Sequence, residues 1–101
     1  MTKKPRRSLT RSPADLARTA LRVARVLPLY SSTRSRHDFT QRQLFTILVL
    51  KQFFKTDYRG IAAYLEDLPE LRQILKLRKV PHYSTLCYAE ERLVKKGLLT
   101  A

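Results

Sequence analysis

One stretch near the middle of this chain is apolar on almost every side, and it limits the folds that the chain can adopt. Thr40 and Gln43 match a capping box, which predicts a helix from Thr40 to about Lys55. Its apolar side chains leave almost no polar face: Leu44, Phe45, Ile47, Leu48, Val49, Leu50, Phe53 and Phe54. Because a helix that is apolar nearly all round has to be covered by other elements, we expect this one at the centre of the fold.

Start and stop signals predict further helices around this central one. Ser12 followed by Pro13 begins a helix that runs to about Leu27, before Pro28. By similar signals, helices are expected over about residues 57–68, 69–75 and 83–96, with Gly97 after the last one. The chain shows no alternating strand pattern and has only two glycines. We therefore predict an all-α fold, a small bundle of about five helices with a flexible basic N-terminal tail.

Helical spacing predicts which side chains of these helices form the core. In the first helix they are Leu16, Ala20, Val23 and Leu27, in the third Tyr58, Ile61, Ala62, Leu65 and Leu68, and in the fifth Leu86, Ala89 and Leu93. We also expect most of the aromatic side chains Phe45, Phe53, Phe54 and Tyr64 in the core.

The chain is strongly basic, with 21 Lys and Arg against 8 Asp and Glu and a formal net charge of +13. Residues 1–42 hold 11 of the basic and 2 of the acidic side chains, a net charge of +9 that leaves +4 for the remainder. So large an excess favours a polyanionic partner: DNA, RNA or an anionic membrane surface. No apolar run approaches a membrane span of about 20 residues, and no signal peptide is recognisable, so we expect no membrane partner.

Few groups in the sequence suit catalysis or metal binding. One cysteine, Cys87, and two histidines, His37 and His82, exclude an intrachain disulfide and a four-ligand metal site. Most of the acidic residues fall at predicted helix ends, where capping accounts for them, and no glycine-rich phosphate loop is present. We therefore expect no enzyme activity, no metal, no cofactor and a cytoplasmic, nucleoid-associated protein.

The fifth predicted helix is the best candidate for entering a DNA groove. While its apolar stripe faces the core, a polar and basic stripe turns outward. The candidate DNA-binding residues are His82, Tyr83, Ser84, Thr85, Tyr88, Arg92, Lys95 and Lys96. An α-helix fits the major groove, arginine can read guanine there, and the free N–H groups at a helix start suit a phosphate. Glu90 and Glu91 favour the alternative of a solvated face, because carboxylates repel DNA.

The third and fifth helices together predict an elaborated helix-turn-helix-like unit. A simple unit of this kind has a turn of about 3–4 residues between its helices. Here Leu68 to Pro81 intervenes, so the short fourth helix would be an insertion. Tyr58 and Arg59, at the start of the third helix, are secondary candidates for phosphate contact, although Tyr58 can equally belong to the core.

Basic residues nearer the N-terminus form a second candidate surface. A basic arm that can follow phosphates or enter a minor groove consists of Lys3, Lys4, Arg6, Arg7 and Arg11. Further candidates for phosphate contact are Arg18, Arg22, Arg25, Arg34 and Arg36. The alternative for the arm is a solvated tail without a DNA contact. The alternative for the arginines of the first helix is the solvent-exposed face of a surface helix.

Three sequence blocks between about Leu29 and Gly97 resemble the N-terminal region of DDE-type insertion-sequence transposases. They are FTQRQLFTILVLKQF, TDYRGIAAYLEDLPELRQIL and VPHYSTL, in the order and spacing of that family. Residues 1–28 add nothing to the resemblance. We therefore divide the chain into a basic flexible tail (residues 1–12), a basic amphipathic helix (residues 13–28) and a transposase-like helical DNA-binding domain (residues 29–101).

The resemblance implies a helical domain that binds double-stranded DNA at the terminal inverted repeats of an insertion element. In that family a separate ribonuclease-H-like domain with three metal-binding carboxylates cuts and joins the strands. Because the sequence ends at Ala101, soon after the VPHYSTL block, we expect that catalytic domain to be absent and the chain to bind DNA without cutting it. Three origins of such a chain stay open: a truncated gene, one reading frame of a split element, and a fragment.

Two other functions stay open as well. A small basic RNA-binding protein fits the charge and length, although its aromatic side chains are expected in the core rather than exposed for stacking. In an interaction module, the apolar second helix would form a homodimer or dock onto a transposase catalytic partner. Such a module would inhibit transposition by occupying DNA ends without cutting them.

Overall fold

The protein, analysed as a computed structural model, is described over residues 12–27 and 38–95. These residues form α1 (Pro13–Val23), α2 (Gln41–Phe54), α3 (Tyr58–Asp67), α4 (Pro69–Leu75) and α5 (Tyr83–Lys95), with a 3₁₀ turn, Ala24–Val26, after α1. These two ranges contain five α-helices and no β-strand, which confirms the predicted all-α fold. None of the helices found there is long and apolar enough to cross a membrane.

Side-chain caps begin the helices where the sequence predicted them. Ser12 Oγ accepts a hydrogen bond from a backbone N–H of the first turn of α1 at 3.3 Å. Thr40 and Gln43 form the complete capping box of α2. At the start of α3, Asp57 Oδ1 accepts from the N–H of Gly60 at 2.7 Å. Each cap satisfies an N–H group that a helix start leaves without a partner.

Helix α2 lies at the centre of the bundle, as its apolar composition predicted. α1, α3 and α5 pack against it, and α4 packs against α1 and α3. Ile47 and Leu50 of α2 are fully buried. Thr46 is buried as well, and its hydroxyl donates to the carbonyl of Arg42 at 2.9 Å, which offsets the cost of burying a polar group.

Gln43 joins the start of α2 to the end of α4. Its Oε1 accepts from the N–H of Thr40 at 2.8 Å, while its Nε2 donates to the carbonyls of Leu75 at 2.8 Å and Lys76 at 3.3 Å. The last carbonyls of a helix have no partner within the helix. One side-chain amide therefore satisfies backbone groups of two helices that are distant in the sequence.

The core face of α1 differs from the predicted one at Val23. Helical spacing predicts Val23 in the core, yet this residue is 59% exposed, so that prediction is wrong. The buried face of α1 and the turn after it instead consists of Ala17, Ala20, Ala24 and Leu27, which are three and four residues apart in turn. Val23 lies to one side of this face.

Tyr64 lies outside the core, although most of the four aromatic side chains that include it were expected there. It is 40% exposed, because Leu65 occupies the buried face of α3 and Tyr64 lies beside that face. The Tyr64 ring stacks on the Phe54 ring with centroids 4.3 Å apart, which covers part of both rings. Phe45, Phe53 and Phe54 are half-buried rather than fully buried.

Several predicted residues lie outside the described ranges. They are Lys3, Lys4, Arg6, Arg7 and Arg11 of the basic arm, together with Arg34, Arg36, Lys96 and Gly97. The flexible tail and the division of the chain into three segments stay predictions.

The substitution Gln43→Glu separates the two roles of Gln43. Glutamate keeps the oxygen that completes the capping box, but it removes the Nε2 donor and places a carboxylate near two carbonyls. We expect the free energy of unfolding to fall by about 1–3 kcal/mol, the cost of leaving partly buried acceptors without a donor. Urea denaturation followed by circular dichroism measures this change.

Gln43→Ala is the companion variant, because it removes the capping oxygen and the amide donor together. If Gln43→Glu is as stable as the wild type while Gln43→Ala is not, the cap alone contributes. The bridge to α4 would then add nothing to stability.

Candidate nucleic-acid interface

His82 caps the start of α5. Its imidazole Nδ1 accepts from the backbone N–H of Ser84 at 3.2 Å and lies 2.8 Å from Ser84 Oγ. Because a backbone N–H can only donate, Nδ1 is the acceptor and the neutral ring carries its proton on Nε2. His82 is exposed, so the first turn of α5 offers this Nε2–H donor, whereas the N–H groups of Ser84 and Thr85 already donate to His82.

Arg59 of α3 lies against the start of α5. Its guanidinium carbon is 4.3 Å from the centroid of the Tyr83 ring, and its Nη2 donates to the Tyr83 hydroxyl at 3.1 Å. The His82 ring also lies against Tyr83, with centroids 4.3 Å apart. A cation over an aromatic face is stabilised by about 0.5–1 kcal/mol at an exposed site. We call these three side chains, which join the first turns of α3 and α5, the Arg59 stack.

An open pocket of about 340 Å³ lies beside the Arg59 stack. Its lining residues are Arg59, Ala62, Glu66, Val80, Pro81, His82 and Tyr83. The lining combines an apolar part with hydrogen-bond donors and an acidic residue. Such a surface can receive a flat group that has polar edges.

The other candidates on α5 differ in their exposure. Leu86, Ala89 and Leu93 are buried, as predicted. Tyr88 is 62% exposed and Lys95 is exposed, whereas Thr85 is half-buried. Arg92 is also half-buried, and its Nε is buried with no hydrogen-bond partner among residues 12–27 and 38–95. Tyr88 and Lys95 therefore face solvent more fully than Arg92 does.

Tyr58, Glu90 and Lys51 link three helices. The Tyr58 hydroxyl of α3 donates to Glu90 Oε1 of α5 at 2.6 Å, and Lys51 Nζ of α2 lies 4.0 Å from the same oxygen. The hydrogen bond to Glu90, and then burial, raise the pKa of Tyr58 far above its usual range. Glu90, one of the two carboxylates of α5 that are expected to repel DNA, is therefore hydrogen-bonded within the fold.

The contact of Tyr58 with Glu90 and Lys51 was not predicted from the sequence. A weak signal was available, because Glu90 lies one turn after the buried Leu86 and so borders the core stripe of α5. Tyr58 is half-buried, and its contact with a phosphate stays a prediction.

Three arginines of the predicted phosphate-contacting set lie on α1 and the turn after it. Arg18, Arg22 and Arg25 are exposed, and Arg18 Nη1 lies 3.1 Å from Asp15 Oδ1 in an exposed ion pair. α1 packs against α2 and α4, whereas α5 packs against α2 and α3. The arginine that the structure brings to the start of α5 is therefore Arg59.

Several acidic side chains in the described ranges serve as local partners. Asp57 caps α3, Asp15 pairs with Arg18, and Glu90 accepts from Tyr58. No group of three or more His, Cys, Asp and Glu side chains that could hold a metal ion is found within those ranges.

The chain belongs to a family of transposase domains. Residues 3–92 match the family described as Transposase domain (DUF772). The match includes residues 3–28, to which the motif resemblance does not extend. No curated protein and no solved structure matches the chain significantly. Membership of the family indicates a role related to transposition.

Tyr58→Phe tests the link between α3 and α5. The substitution keeps the ring in place and removes the hydroxyl that donates to Glu90. We expect a loss of about 1–2 kcal/mol of unfolding free energy at neutral pH, because a hydrogen bond to a charged group contributes about 1.5–3 kcal/mol and water reaches part of this site. Tyr88→Phe, on the exposed face of α5, is the matched control and should change the free energy by less than about 0.5 kcal/mol.

The dependence of stability on alkaline pH is a second test of the hydrogen bond from Tyr58 to Glu90. The pKa of Tyr58 is raised from a usual value of 10.0 on folding, so its contribution is complete below about pH 10 and is lost as the pH rises toward the folded value. The stability difference between wild type and Tyr58→Phe should therefore be constant near neutral pH and shrink above about pH 10. A difference that does not change with alkaline pH would contradict the hydrogen bond to Glu90.

Proposed function

We propose that this chain is the DNA-binding module of a transposase and places the start of α5 in the major groove at the terminal inverted repeats of an insertion element. The observation that carries the proposal is the exposed Arg59 stack at the first turns of α3 and α5, with Tyr88 exposed further along α5. Residues near the start of a recognition helix are those that commonly reach base edges. Membership of a transposase-domain family supports the ends of an element as the target.

In this proposal α3 and α5 form the helix-turn-helix-like unit, and α4 is an insertion between them. α3 and α5 pack against each other, and α4 lies between them in the chain. The hydrogen bond from Tyr58 to Glu90 holds α5 in a defined position on α3, and groove reading depends on such rigid placement. At the start of α5, the exposed His82 ring can donate from Nε2 to a phosphate that flanks the bases being read.

Basic side chains supply the affinity that does not depend on sequence. The net charge of +13 supports strong attraction to a DNA backbone. On the described surface, exposed Lys95 and the arginines of α1 are proposed to contact phosphates, while Thr85 and Arg92 are half-buried and contribute less. Each phosphate contact steepens the fall of log K with log salt by about 0.9.

We assign strand cutting to a separate catalytic domain or partner, and end binding to this chain. Homodimerisation, or docking onto that catalytic partner, would bring two ends of the element together. A chain that occupies the ends without such a partner would inhibit transposition.

A binding titration tests the proposed function. One duplex carries the terminal repeat of the element that encodes the chain, and a second has the same composition in scrambled order. We expect the wild type to prefer the repeat by at least about 10³-fold. Tyr88→Ala should weaken binding to the repeat by about 5- to 150-fold and leave binding to scrambled DNA nearly unchanged, because a base contact is lost.

Gln52→Ala, an exposed substitution on α2, is the matched control and should bind both duplexes as the wild type does. Equal and steeply salt-dependent binding to the two duplexes, unaffected by Tyr88→Ala, would contradict recognition by α5. Tighter binding to single-stranded RNA than to either duplex would favour the RNA-binding alternative.

A further inference from the structure

The guanidinium of Arg59 is held in a defined orientation. Its carbon lies 4.3 Å from the centroid of the Tyr83 ring, and its Nη2 donates to the Tyr83 hydroxyl at 3.1 Å, so two contacts with one side chain restrict its position. Less side-chain entropy is then lost when the group binds a partner. Because a guanidinium has several N–H donors and Tyr83 takes only one of them, a planar fork of two donors is left for another group.

Two groups in DNA match such a fork. One is a backbone phosphate, and the other is the O6 and N7 edge of guanine in the major groove. The first contact strengthens binding to every sequence, whereas the second selects one base pair. The distinction decides whether Arg59 contributes affinity alone or sequence specificity.

The pocket beside Arg59 distinguishes between these partners. Glu66 lines the same pocket, two turns along α3 from Arg59. A phosphate is anionic and offers only acceptors, so a neighbouring carboxylate disfavours it. Base edges offer donors as well as acceptors, and the cytosine amino group is one that a carboxylate can accept from.

The apolar part of the pocket agrees with a base edge. Ala62 and Val80, both half-buried, lie beside the charged residues of the lining, while Pro81, which also lines the pocket, is buried. Small apolar side chains contact the thymine methyl group and base carbons in the major groove, whereas a hydrated phosphate gains nothing from them. A donor, an acceptor and an apolar wall in one pocket therefore match the chemistry of bases.

We infer that Arg59 is a specificity-determining residue that reads a guanine where α3 and α5 meet, with Tyr83 as the residue that positions it. This inference rests on the proposed function and goes beyond it. The sequence interpretation places Arg59 on a phosphate, and the structure gives it the surroundings of a base-reading residue.

Arg59→Lys is the discriminating substitution, because lysine keeps the positive charge and loses the planar fork. Selection from a randomised duplex library gives the preferred site of each protein. The wild type should select a guanine at one position that Arg59→Lys no longer selects, while the other positions keep their preferences. On two duplexes that differ only at that base pair, discrimination should fall from about 5- to 150-fold to nearly none, with the salt slope unchanged.

Tyr83→Phe and substitutions of Arg22 are the matched variants. Tyr83→Phe keeps the ring under the guanidinium and removes the hydroxyl that accepts from Arg59, so it should reduce discrimination at the same position. Arg22→Lys, on the exposed face of α1, should alter no position. Arg22→Ala should weaken binding to all duplexes alike and lower the salt slope by about 0.9, the pattern of a phosphate contact.

The same data can overturn the inference. If Arg59→Lys keeps the wild-type preference at every position and Arg59→Ala behaves as Arg22→Ala does, Arg59 contacts a phosphate. The inference then fails while the proposed function stands, because the wild type still selects a sequence. A wild-type chain that selects no sequence overturns both.

Discussion

The burial of α2 is the constraint on which the rest of the structure depends. This helix has almost no polar face, so three other helices have to cover it, and α1, α3 and α5 do so. The fully buried Ile47 and Leu50 lie in this helix. Each fully buried aliphatic side chain contributes about 1.5–3 kcal/mol relative to an exposed one. Helices that are individually too short to be stable in water are thereby held in one bundle.

The polar groups of α2 then set the positions of its neighbours. Gln43 bonds the end of α4, and Lys51 lies near the Glu90 carboxylate that also accepts from Tyr58. Hydrophobic packing is weakly directional, whereas these contacts have defined partners and distances. They fix α3 and α5 relative to each other, and this arrangement brings Arg59 onto Tyr83. The candidate interface is thus a consequence of how the central helix is covered.

Local signals in the sequence predicted much of the fold. The caps at Ser12, Thr40 and Asp57, and the proline that begins α4, are short-range features that act through neighbouring backbone groups. Val23 was misplaced because the prediction omitted Ala17 and Ala24, and a constant helical period through these two residues gives the observed buried face. Contacts between residues far apart in the chain, such as Arg59 with Tyr83, were also not predictable. Periodicity shows which residues share a helix face, but not which helices pack against each other. The sequence named both residues as candidates, and their stacking required the tertiary structure.

Mapping the DNA contacts residue by residue tests the central claim most directly. The chain, labelled with ¹⁵N, would be titrated with a duplex that carries the terminal repeat while backbone amide chemical shifts are followed. Recognition through the junction of α3 and α5 predicts that the largest changes fall at Arg59 and at residues 82–88, with little change along α4. Changes confined to α1, or spread evenly over all exposed basic residues, would contradict it.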